Sequence, residues 1–120
     1  MSNVEKNIHD IVTNEEYETL LAFHDIAEEV LGSRLEKIIV FGRKSKKEKS
    51  NALDLLFLLS NVTQEDSVEV AQIAEDLTEN STTQIAPLVM ELKKYEACEA
   101  LDHPLIHDIK STGVELIPPA

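Results

Sequence analysis

One carboxylate stands inside an apolar run. Asp54 interrupts Leu53–Leu59, LDLLFLL, and an ionised, unpaired carboxylate costs several kcal/mol or more to bury. Such a residue needs a metal ion, a cationic partner or exposure at the start of its strand. Upstream, a second apolar run, Leu35–Phe41, closes on Gly42 and opens into RKSKKEK at residues 43–49. That segment holds five of the eleven Lys and Arg and one acid, which leaves six basic residues against 22 acids elsewhere. A basic loop on an acidic body suits one small anion such as a triphosphate, or an acidic patch on a partner; the alternative is a solvated loop. It is poorly suited to duplex nucleic acid, because the body would repel the phosphate backbone.

The remaining candidates carry weaker chemistry. His103 and His107, in HPLIH, have the helical spacing that lets two imidazoles share a metal, with Asp102 and Asp108 as neighbouring acids; ordinary helix-end histidines are the alternative. His24 falls on the apolar side of a long helix and reads as a core residue. Cys98 is the only cysteine, so no intramolecular disulfide can form, and no basic neighbour activates it.

The bulk properties suit one soluble domain over residues 1–120. Apolar residues make up 42% and charged residues 28%, with a formal net charge of −12. No apolar run approaches the roughly 20 residues of a membrane span. MSNVEKNIHD has no apolar core, so no secretory signal is expected, and a lone thiol then points to a reducing, cytoplasmic setting.

The elements follow from spacing. Residues 3–12 are expected as a short helix in an N-terminal extension, 1–13. Asn14 with Glu15 and Glu16 reads as a cap and acidic first turn, and the helix runs through Leu20, Leu21, His24 and Leu31 to Gly32. Leu35–Phe41 and Asn51–Ser60 read as strands, the second apolar on both faces and therefore central. Thr63 is the expected cap of an amphipathic helix over 64–79. Gln84–Glu91 is an edge or bulged strand by its Pro87. Lys93–Ala100 and Pro104–Lys110 are short helices, and Val114–Ile117 is a last strand before the 118–120 tail. The loop joining the first two strands is too short for a proper crossover helix, so they are expected to pair antiparallel or to be joined by one helical turn. The sum is an α/β (α+β) fold, a mixed sheet of three to four strands flanked by helices, with no G-x-G-x-x-G.

LEKIIVFGRKSKKEKSNALDLLFLLS resembles the core of the minimal nucleotidyltransferases related to DNA polymerase beta. IAPLVMELKKYEA is similar to that family's third core strand and the small helix after it. HPLIHDIKSTGVELI resembles its closing helix, glycine and strand. The resemblance covers about residues 15–117. It implies a nucleotidyltransferase fold, with a glycine-serine pair and basic turn on the triphosphate and an Asp-x-Asp strand holding a divalent ion between phosphates. By that resemblance Gly42, Arg43, Lys44, Ser45 and Asp54 are the nucleotide-binding positions, and Asp54 is the metal ligand that remains. Arg43 replaces the serine, Ala52 replaces the first aspartate, and the third strand has no acid before Glu91.

The expected function is therefore a pseudoenzyme that binds protein, like the antitoxin partner of a HEPN-type toxin, with no cofactor. The first alternative is an active AMP transferase using Mg²⁺ and ATP, with Asp54 aided by Glu91 or Glu48. The second is a ligand-free homodimer. In the pseudoenzyme Asp54 either pairs with Arg43 in place of the metal or bonds loop amides at the strand's exposed start.

Overall fold

Thr13, not Asn14, starts the first long helix of the computed structural model, which describes residues 7–43 and 52–119. Helix α1 spans Asn14–Leu31. The Thr13 hydroxyl accepts from the Glu16 N–H at 3.2 Å, and Glu16 Oε1 accepts from the Thr13 N–H at 2.8 Å. This reciprocal box satisfies two amide donors that a helix start leaves open, which is why threonine outcompetes asparagine here. Gly32 ends α1 at φ +61°. In place of the expected helix over 3–12, the described part of that segment forms a 3₁₀ turn, Ile8–Asp10, which sets Ile11 and Val12 into the core.

The rest of the chain is β1 (Leu35–Phe41), β2 (Leu53–Leu59), α2 (Asp66–Thr78), β3 (Ile85–Glu91), α3 (Leu92–Ala100), α4 (Pro104–Thr112) and β4 (Val114–Glu115). The strands form one open mixed sheet, order β3-β2-β1-β4. As expected from the short loop, β1 and β2 are antiparallel; β2 and β3 are parallel, and β4 runs antiparallel to β1. The fold is thus the α+β arrangement of a mixed sheet flanked by helices.

The continuous apolar reading of β2 has a direct cause: helices cover both faces. Leu53, Leu55, Phe57 and Leu59 meet Leu20, Phe23 and Ala27 of α1 and Val70 and Ile73 of α2. Leu56 and Leu58, with Phe41 of β1, meet Tyr95 of α3 and Ile106 and Ile109 of α4. Each fully buried leucine contributes about 1.5–3 kcal/mol, so β2 is the spine of both cores. Among the described residues no helix is long and apolar enough to cross a membrane.

The entry to α2 departs from expectation. Thr63 does not cap with its hydroxyl; its N–H donates to Asp66 Oδ2 at 2.7 Å. Asp66 also takes both arms of Arg34, at 2.7 and 2.9 Å, and is buried. The Arg34 hydrogen bonds outweigh the burial and hold the carboxyl at about 2, against an ordinary 3.8. A depressed carboxyl stabilises the fold above its unfolded value and loses that contribution as pH falls toward the folded one. Asp66→Asn is therefore expected to cost about 2 kcal/mol at pH 7 by urea denaturation. The difference from wild type should shrink between pH 4 and 2. A pH-independent difference would contradict the pairing.

Candidate functional site

Gly42 organises the end of the sheet where Asp54 lies. Phe41 pairs with Asp54, and strand alternation puts Asp54 on the face covered by α3 and α4. Gly42 has φ +88°, and a Cβ added there would sit 2.6 Å from Asp54 Oδ2. The carboxylate thus occupies the space that only a glycine leaves open. The Gly42 N–H donates to Thr112 Oγ1 at 2.8 Å, and the Thr112 hydroxyl donates to the Asp108 carbonyl at 2.9 Å. This relay holds the last turn of α4 against the end of β1 and brings Asp108 within electrostatic reach of Asp54.

Asp54 is half-buried, and its carboxyl titrates above the ordinary value. Burial is the main cause and the charge of Asp108 adds to it, while the positive charge of Arg43 works the other way. Among the described residues no cation lies within ion-pair distance of Asp54.

The expected Arg43–Asp54 pair does not form. Arg43 Nη1 donates to Glu16 Oε1 at 2.9 Å and to the Ile11 carbonyl at 3.3 Å, and the guanidinium is 2% exposed. Simple alternation from Phe41 would have aimed Arg43 at the face that bears Asp54. The positive φ of Gly42 breaks that alternation and sends the side chain to the α1 side of the sheet. For Glu16, burial pushes the carboxyl up, but the Arg43 and Thr13 hydrogen bonds outweigh it and leave the carboxyl below its ordinary value. Sequence reasoning missed Glu16, although Thr13-x-x-Glu16 is a legible capping-box pattern. Asp108 and Thr112 had no local signal, because their importance depends on where α4 docks.

The other positions separate. Ala52 stands two residues before Asp54, and Ala86 lies beside Asp54 on β3, so neither flank supplies a carboxylate. Glu91 pairs with Leu59 at the far end, five residues along the strand and roughly 17 Å away. It cannot share a ligand with Asp54, which removes it from the set expected for an active enzyme. Lys44, Ser45 and Glu48 lie outside the described residues.

His103 caps α4, its Nδ1 accepting from the Leu105 N–H at 3.2 Å. Among the described residues no group of three His, Cys, Asp or Glu side chains is placed to hold a metal ion. His24 is largely buried at the margin of the core, its side chain 15% exposed, and it meets Asp25 at 3.4 Å and Glu28 at 3.8 Å. Cys98 packs against the cluster formed by α3, α4 and the sheet.

Chemically, the Asp54 end of the sheet offers one half-buried carboxylate beside a glycine that makes room for it, and a second carboxylate on α4. No protein-family model matches this chain, and no curated protein matches it.

Proposed function

We propose that this chain is a nucleotidyltransferase-fold protein of the minimal type whose phosphoryl-transfer chemistry is lost, and that it acts by binding a protein, in the manner of an antitoxin that masks a basic, RNA-cleaving HEPN-type partner. The observation that carries this reading is the surroundings of Asp54. The strand positions that would complete a carboxylate set beside it are Ala52 and Ala86. The basic residue in the place of the phosphate-binding serine, Arg43, is committed to Glu16 on the opposite side of the sheet. A phosphoryl-transfer site needs its metal clamped by more than one protein carboxylate or by substrate phosphates. The net charge of −12 favours a basic partner; the toxin itself enters by family analogy.

One observation favours a second reading, an active Mg²⁺-dependent AMP transferase. The charge of Asp108 is felt at Asp54, and two carboxylates that repel each other are relieved by a divalent cation.

A calorimetric titration with ATP, with and without Mg²⁺, separates the two. Loss of function predicts no metal-dependent heat for wild type. It also predicts that Asp54→Asn raises the melting temperature at neutral pH: a carboxyl raised on folding stabilises most below its unfolded value and costs stability as pH climbs through the folded one. Metal-dependent binding abolished by both Asp54→Asn and Asp108→Asn would instead favour the transferase and make AMP transfer the next assay.

A further inference from the structure

The sheet ends on one side at β3, and that edge is blunted over only half its length. The Leu53 N–H donates to the Gln84 carbonyl at 2.8 Å, and Leu53 pairs with Ile85. In a parallel ladder both polar backbone groups of alternate residues face the same neighbour. Gln84, Ala86, Leu88 and Met90 therefore turn theirs toward β2, and Ile85, Pro87, Val89 and Glu91 turn theirs outward. Pro87 belongs to the outward set, where a missing N–H breaks no ladder bond. Beyond it, the N–H groups of Val89 and Glu91 point away from the sheet and meet no backbone acceptor among the described residues.

A groove of about 420 Å³ runs beside this open half, lined by Val62, Leu88, Val89, Met90, Glu91 and Lys94. Val62 is 39% exposed and Leu88 37% exposed, so apolar surface flanks unpaired backbone. Such an edge is a template for an added strand. Its charge surroundings identify what fits. Helix α2, which packs on β3, exposes Glu69, Glu75 and Asp76 and contains no Lys or Arg, and the exposed Glu79 follows its end; the groove lining itself holds one acid, Glu91, and one base, Lys94. A second copy of this chain would bring the same −12 formal charge to the contact.

We propose that the outer edge of β3 is the docking site for an extended, basic segment of another protein, added as a fifth strand. It would pair with the backbone of Val89 and Glu91, place an apolar side chain between Val62 and Leu88, and direct Lys or Arg toward α2. This deepens the protein-binding reading and rests on it.

The test uses fluorescein-labelled eight-residue peptides alternating Val, Ile or Leu with Lys or Arg, followed by fluorescence anisotropy and by amide hydrogen exchange on the full chain. The expected result is saturable binding, at least tenfold weaker to Leu88→Lys and Val62→Lys. N-methylation of alternate peptide amides should abolish it, and the Val89 and Glu91 amides should exchange at least tenfold more slowly in the complex. Circular dichroism establishes that both variants fold; both sites are already partly exposed.

The proposal is overturned by no binding, by equal affinity for N-methylated peptide (which would mean bulk charge attraction), or by unchanged exchange at Val89 and Glu91. It is also overturned by self-association of wild type that Leu88→Lys abolishes, since the edge would then belong to a second copy. The ATP titration run in parallel keeps the two conclusions apart. Peptide docking together with Asp54-dependent Mg-ATP binding would sink the loss of chemistry and leave the docking edge standing. No docking and no ATP binding would do the reverse.

Discussion

Glu16→Ala is expected to destabilise the protein by about 3–5 kcal/mol, the cost of taking a buried carboxylate partner from the Arg43 charge. Glu16 Oε1 takes two donors at once, the Arg43 guanidinium at 2.9 Å and the Thr13 N–H at 2.8 Å. Removing it leaves a guanidinium that is 2% exposed beside the first turn of α1 and takes away half of a capping box. Arg43→Ala should cost a similar amount for the converse reason. The double replacement Glu16→Leu with Arg43→Met should cost far less than the sum of the two, because neither charge then remains buried. Urea denaturation of the four proteins at pH 7 provides the measurement. Additive losses would mean that the two side chains act independently, contrary to the observed geometry. A pair of this kind ties the second residue after β1 to the start of α1.

Gly42→Ala is the second large effect, expected at about 2–4 kcal/mol. Two causes contribute. The backbone angle of +88° is strained for any residue with a Cβ, by about 1–2 kcal/mol. The added methyl would also collide with Asp54 Oδ2, its ideal position being 2.6 Å away. The two causes separate in a cycle. In an Asp54→Ala background the collision disappears and only the backbone cost remains, so Gly42→Ala should lose about half of its effect. An undiminished cost in that background would show that the carboxylate does not occupy the space beside Gly42. The same cycle shows whether the glycine is needed mainly to make room for Asp54 or mainly for its backbone angle.

Much of the architecture was legible because it follows local rules. The β-branched run of β1, the stop at Gly42, the short loop that forces an antiparallel pair, and Pro104 at the head of α4 all act over a few residues. Pro87 marked β3 as an edge for the same reason. Where local cues compete, boundaries moved: Thr13 and Asn14 are both good caps, and the box with Glu16 decides between them. Thr63 has the residue type of a cap, yet Asp66 takes its N–H because Arg34 holds that carboxylate in place.

The candidate site divides along the same line. That Asp54 is a lone carboxylate in a central strand, with Ala52 where a partner would stand, is a property of the sequence alone, since alternation along a strand follows from the backbone. Which groups surround it is not. Arg43 was expected at Asp54 by proximity along paired strands, but one positive φ at Gly42 rotated it to the other face, and the partner it found there is 27 residues away in the chain. Asp108 and Thr112 reach the site only because α4 docks on the sheet. By itself, then, the sequence determined the elements, the mixed sheet and the single carboxylate of its central strand, all set by short-range sterics and apolar periodicity. The tertiary structure alone decided the charge pairing and the groove beside the β3 edge that Pro87 had marked, because both depend on which distant surfaces come together.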